Sequence, residues 1–519
     1  MSKSSLSAHC RSDSLSEAGL HKIIERYGLT PSNNNNNPNI ADYEFILWAC
    51  NNERVTEGII QYLLQYFPAA ASATGSNGRS PLHVACGNKN VTLNIVQLLI
   101  DAAPNSVLNV DYQGWMPLHS LCANKKLDES AAMEIVKLLI DKHPEAVRHV
   151  DNNGYLPIHV ACWWGSRSLE FCRVLIEAYP GSERIASLAS RDGSLPLHYV
   201  CTNNTAATVE YLYKLYPGAI NHANTDGLYP IHFAIDGILK RSNPMVAVNI
   251  VQFLLDCDPN VKLQKVRGTM SLLYWACMLE YNDSNIRAAL GVITEIYDVH
   301  PEAIEDNEIT SDLLDYHQQV QSFINSQLVY SRQAKDHLLV TTPDDQGQLP
   351  LHTALQNNAR LGSIKLLVKG NPHSVQSPDN NGALPLHLAC QHYESDSVIM
   401  YLIGLDATTL RAVDFDNNTA LHLACHGAKY ELITLLLEKY DAVSVSKRNA
   451  HKKLPIDLLW ESNGVEDRES VEYTESVFRL VRAYPETVMN IDLNVKQQQS
   501  TDSKDCTSHG GKKRKFGNV

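Results

Sequence analysis

The chain has 519 residues, 44% of them hydrophobic, with 44 basic against 57 acidic side chains and a net charge of −13. That length exceeds one compact core and calls for several domains or a repeat array, while the apolar content argues against wholesale disorder. The acidic balance argues against a chain built to coat nucleic acid or anionic membrane, so no direct nucleic-acid partner is expected.

Residues 1–40 open on "MSKSSLSAHCRSDSLS", lack an apolar secretory run, and include the Asn33–Asn37 tract. They read as a disordered lead-in. From 41 to 490 one pattern returns: "NGRSPLHVAC" around His83, "YQGWMPLHSLC" around His119, "NNGYLPIHVAC" around His159, "RDGSLPLHYVC" around His198 and "TDGLYPIHFA" around His232. It resumes as "DQGQLPLHTA" around His352, "NNGALPLHLAC" around His387 and "DNNTALHLAC" around His422. Tyr274 and Asp312 occupy the histidine slot in the gap, and Leu47 and Asp457 do so at the ends, which makes about twelve units. Regularity is expected to break at the two weakest units, around Tyr274 and Asp312, within a degenerate stretch at 265–345. The longest apolar run there, "MSLLYWACML", is about half the ~20 residues that cross a bilayer, so no membrane insertion is expected. Residues 491–519 form a polar, basic tail, read as disordered. It carries Lys512, Lys513, Arg514 and Lys515, a cluster that reads equally as an import signal or as a solvated tail.

Each unit begins with a turn whose glycine tolerates positive φ, followed by a proline where a helix starts. A short helix, a loop and a strongly apolar helix follow, and in most units a further proline closes the second helix. One such pair cannot bury its apolar face alone, so the units must stack.

The histidines and cysteines invite a chemical reading. His159 and Cys162 lie one helical turn apart, as a nucleophilic dyad would. Yet the same His-x-x-Cys pair occurs at 83/86, 119/122, 159/162, 198/201, 387/390 and 422/425. Layers about 8–10 Å apart cannot bring such a column to one metal or into disulfides. Structural histidines that hydrogen-bond between neighbouring turns, and small buried thiols, are the expectation. No phosphate-loop, kinase, G-x-S-x-G or HExxH signature occurs. An enzyme concealed within 275–345 is a remote alternative without a motif.

The turn–helix–helix module with its Pro-Leu-His-x-Ala centre resembles the ankyrin repeat, over about 450 residues. The resemblance implies an all-α, helix-turn-helix solenoid with β-turn or hairpin fingers, no cofactor, and a scaffold or adaptor that binds a protein or peptide along its concave face. The chain departs from the family where a helix-capping Thr is usual: Met116, Leu156, Leu195, Tyr229, Leu349 and Leu384 stand there. The location implied is cytoplasmic. A nuclear regulatory or transcription-associated factor, imported through the basic tail, is the alternative. In the family's geometry the residues near the turn glycine and the first-helix start face the groove. Tyr112, Trp115, Tyr155, Trp163, Trp164 and Tyr229 are therefore the candidate contacts, since aromatic rings dominate binding hot spots. Trp163 and Trp164 are consecutive and about 100° apart on a helix, so at least one should be exposed.

Overall fold

The computed structural model describes residues 2–27, 43–165, 167–258, 260–266, 268–305, 309, 316–393, 396–439, 445–462 and 470–485. The chain divides into two bodies, Met1–Ser322 and Phe323–Val519. Among the described residues there is no β-strand, only an isolated bridge between Val266 and Met270.

In the first body, first helices such as Pro81–Cys86, Pro117–Ala123, Pro196–Asn203 and Pro230–Lys240 alternate with second helices such as Leu93–Ala102, Glu129–Lys142, Ala206–Leu215 and Met245–Cys257. Proline occupies the opening position of those first helices, where its missing N–H costs no hydrogen bond. The second helices start on side-chain caps: Thr56, Thr92, Ser168 and Thr205 accept from the backbone three residues on. The prolines after these helices do more than stop them. Pro68, Pro104, Pro144 and Pro217 each open a single 3-10 turn that leads toward the next finger.

The fingers are turns, not paired strands. An Asp or Asn side chain closes most of them from within: Asp111 Oδ1 accepts from Gln113 N and Trp115 N, both at 2.9 Å. One backbone bond then links each finger to the next, as from Tyr112 N to Asn77 O (3.1 Å) and from Asn152 N to Gln113 O (2.9 Å). Gly114 is required twice over. Its φ is +81°, and a Cβ there would sit 2.8 Å from Asn152 N.

The histidine pairs with the amide before the first helix whether that residue keeps a hydroxyl, as at Ser80 and Thr419, or lacks one. His119 Nδ1 accepts the N–H of Met116, and the same bond recurs at Leu156, Leu195, Tyr229, Leu349 and Leu384. The backbone N–H of His119 turns back to Met116 O at 2.9 Å, so this donor is paired without a capping hydroxyl. At the other end of the first helices, a side chain of the following unit collects the last carbonyls. Asn88 Nδ2 donates to Cys50 O and Asn52 O, and Asn124 Nδ2 to Cys86 O and Asn88 O. Arg167 does so for Leu121 O and Asn124 O, Arg241 for Cys201 O and Asn204 O, and Lys429 for Gln391 O and Tyr393 O.

Two expectations need correction. Residues 2–26 are not a disordered lead-in: Ser2–Arg11 and Glu17–Arg26 are helices, with Leu6, Cys10, Leu20 and Ile24 buried. Asn52 Nδ2 donates to Cys10 O and Ser12 O, so this pair belongs to the stack and Cys10 fills the recurrent cysteine slot. The Asn33–Asn37 tract lies outside the described residues. Nor does regularity break at Tyr274. Ser271 Oγ caps the helix Leu272–Cys277, and Ile286–Val299 pairs with it. The departure comes later, where Asp312 lies outside the described residues and the 18-residue helix Gln318–Lys335 contains the boundary between the bodies.

In the second body the same pairing runs through Pro350–Gln356 with Leu361–Gly370, Pro385–His392 with Asp396–Leu405, Ala420–His426 with Tyr430–Lys439, and Pro455–Ser462 with Val471–Ala483. Leu351, Ile364, Leu386, Ile399, Leu421 and Ile433 share one core. Asn417 and Lys452 adopt the positive φ that glycine supplies in other fingers.

Asn124→Ala should test the carbonyl links. Leaving two buried carbonyls unpaired is expected to cost about 1–3 kcal/mol in urea unfolding. Asn94→Ala, which removes only an exposed bond to Glu57, should stay within about 0.5 kcal/mol of wild type. Equal effects would remove the structural role of Asn124.

Candidate protein-interaction surface

The position after the finger glycine carries Trp115 and Tyr155 in consecutive units. Their backbone carbonyls are fixed by the preceding histidine: His83 Nε2 lies 2.8 Å from Trp115 O, and His119 Nε2 lies 3.2 Å from Tyr155 O. The finger that bears each ring is thus tied to the helix behind it. His422 makes the equivalent link to Lys453 O, whereas His198, His352 and His387 reach carbonyls just before the next finger, His222 O, Ser377 O and Ala412 O. His159 and His232 depart from this, since their buried Nε2 atoms have no hydrogen-bonded partner among the described residues.

The helix that begins at Pro157 changes character after Val160. Ala161–Gly165 forms a π-helical turn, the widened form that admits an extra residue. This turn carries Trp163 and Trp164, 36% and 42% exposed, with ring centroids 5.3 Å apart. Trp164 packs on Trp115 at 5.3 Å, while Trp163 meets Tyr155 at 5.9 Å and stacks on Tyr199 at 5.2 Å. Phe233 continues the row 6.1 Å from Tyr199. One ladder of rings therefore spans four units, in the angle between fingers and first helices.

Of the six candidate contacts, Tyr155, Trp163 and Trp164 meet in this ladder. Trp115 belongs to it as support and not as an accessible contact. It is only 8% exposed, because its ring lies under Trp164 and its indole N–H donates to Asp151 Oδ2 at 3.0 Å. Tyr112 stands apart at a finger tip, 74% exposed, its ring over Gly78. Tyr229 also stands apart, half-buried beside His232. Tyr199, Phe233 and Trp275 were missed. They share the position directly after the histidine slot, which Val84, Ser120 and Val160 fill earlier, so aligning the units on that slot would have found them. Lys512, Lys513, Arg514 and Lys515 lie outside the described residues.

The charge beside the ladder is negative. Asp192 accepts from Ser190 Oγ, Ser194 N, Ser194 Oγ and Tyr199 Oη. Burial opposes its ionisation, but these hydrogen bonds outweigh that and hold the carboxyl below its usual range. Asp236, which accepts from Trp275 Nε1 at 3.1 Å, is instead pushed upward by burial.

The recurrent histidines and cysteines are buried, and burial sets their protonation. It drives His119, His198, His232 and His422 down to about 4 and His159 to about 3. The same desolvation pushes Cys10, Cys86, Cys201 and Cys390 up to about 12, so these thiols stay protonated. Cys162 is raised as well, with Cys172 against it, so the 159/162 pair combines a neutral imidazole with an inactive thiol. Among the described residues no group of three His, Cys, Asp or Glu side chains is arranged to hold a metal ion. No described helix is long and apolar enough to cross a membrane.

Comparison with known families finds a match to ankyrin repeats (three copies) at residues 46–132, 89–183 and 351–449. No curated protein matches the chain.

The depressed histidines give stability a pH dependence of known sign. The unfolded chain binds protons near pH 6.5, whereas the fold holds these five imidazoles neutral down to about 4 or below. Their contribution is complete above 6.5 and is lost as pH falls through that window. The thermal midpoint should be level from pH 8 to 7 and drop progressively from 6.5 to 5. A midpoint that rises on acidification would contradict the neutral assignment.

Proposed function

We propose that this chain, which is an ankyrin-repeat protein, acts as a scaffold or adaptor that docks a protein or peptide on the ring ladder of its first body. Ankyrin repeats are a protein–protein interaction module, generally without enzymatic activity. The observation that carries the finer reading is the exposure of Trp163 and Trp164 on a π-helical turn. Two large apolar rings left partly in water, backed by buried Trp115 and Tyr199, have the composition of a binding hot spot. The π turn holds them in place before a partner arrives, which lowers the ordering cost of association.

The reading predicts that Trp164→Ala or Tyr155→Ala weakens capture of the native partner by about 1 kcal/mol or more, roughly fivefold, with the helical circular dichroism unchanged. Equal affinity in both variants would remove the ladder from the interface.

A second reading, a nuclear regulatory role, rests on the Lys512, Lys513, Arg514 and Lys515 run, since a 57.8 kDa chain enters the nucleus slowly without a signal. Changing all four to Ala should deplete the nuclear pool of a tagged protein. An unchanged distribution would end this reading.

A further inference from the structure

The geometry points to an arginine side chain of an extended partner peptide as the occupant of the Trp163–Trp164 surface, its guanidinium stacked on the exposed indoles beside Asp192. This deepens the docking reading above and rests on it.

Three observations carry the choice of occupant. The first is ring electrostatics. An indole face is negative, and Trp is the ring that attracts a cation most strongly. Trp163 stacks on Trp164 (25° between planes) and on Tyr199 (19°), so the rings form one electron-rich stack in which the two indoles keep 36% and 42% of their surface open to a planar cation. Guanidinium is planar and weakly hydrated, which suits it to stacking better than an ammonium.

The second is the surrounding charge. The ionic groups that bear most strongly on Tyr155, His159 and Tyr199 are carboxylates, Asp192 above all and Asp151 for Tyr155. Asp192 is half-exposed, and its bonds come from hydroxyls and one backbone N–H. Among the described residues it forms no ion pair, even with its sequence neighbour Arg191, which is exposed. It therefore stands beside the rings as a fixed, uncompensated negative charge.

The third is a comparison within the chain. Exposed Trp48 is covered by its own cation, with the Arg11 guanidinium 4.0 Å from the ring centroid, and Arg79 lies 5.9 Å from the Trp115 ring. No described Arg or Lys lies over Trp163 or Trp164. The pair with the largest joint exposure and an adjacent unpaired carboxylate is the one left without a cation.

The test immobilises the full-length protein and applies three nonapeptide pools, random except for a central Arg, Gln or Leu. The Arg pool should be retained about two- to thirtyfold better than the Gln pool, the span of a cation–π contact, and its retention should fall with added salt. Trp163→Ala and Asp192→Asn should each reduce that preference, and Asp192→Asn, which keeps the size and one acceptor oxygen for Ser194 N, carries the result if the tryptophan variant fails to fold. Gln retained as well as Arg would overturn the inference. A Leu pool retained instead, and lost in Trp163→Ala, would overturn arginine recognition while leaving the docking surface standing. Retention of no pool would also overturn it, and the native-partner experiment with Trp164→Ala then decides the docking reading separately.

Discussion

The backbone that bears Trp115 and Tyr155 is held by a neutral imidazole of the preceding unit. Because the N-cap amide can only donate, Nδ1 of each histidine must accept, and a neutral ring then carries its proton on Nε2. In six of the eight histidines that proton points to a carbonyl further along the chain, which in two cases belongs to Trp115 or Tyr155. One side chain therefore starts a helix, satisfies a buried amide and fixes the backbone that bears a ring of the ladder. Protonation would turn Nδ1 into a donor facing an amide N–H, so burial and the hydrogen-bond geometry both require the uncharged form.

The second link, at the far end of each first helix, adapts to loop length. Asn suffices where it follows the histidine slot by five residues, as at Asn88 and Asn124. Where the connection lengthens, a longer side chain replaces it: Arg167 after the π turn, Arg241 after the extended helix Pro230–Lys240, and Lys429 in the second body. A cation there also suits the negative end of the helix macrodipole. Arg167 is buried and pairs with Glu129 at 3.0 Å, so it is not stranded as an isolated charge. The extra length at 161–165 that carries Trp163 and Trp164 outward is accommodated by this exchange of Asn for Arg.

Much of this was legible because the repeated features are local. Proline at the first helix position, glycine in the turn and a histidine spaced for a buried bond specify one unit, and repetition specifies the stack. What escaped was set by neighbours. Ser2–Arg11 and Glu17–Arg26 lack both turn glycine and proline, and only Leu6, Cys10, Leu20 and Ile24 mark the buried face within a polar segment. The burial of Trp115 is decided by Asp151 and Trp164 from the next unit. Tyr274 does not disturb its unit, because Ser271 caps the helix by itself. Tyr199 and Phe233 were hidden at a position that Val84, Ser120 and Val160 fill in the three preceding units.

The most direct test of the neutral-imidazole account is nitrogen-15 NMR of histidine-labelled protein, assigned through His83→Gln and His119→Gln. At pH 6 the two rings should show the uncharged form with the proton on Nε2, and for His119 that form should persist as the pH is lowered to 5. An imidazolium signal at pH 6, or a neutral ring protonated on Nδ1, would contradict the account.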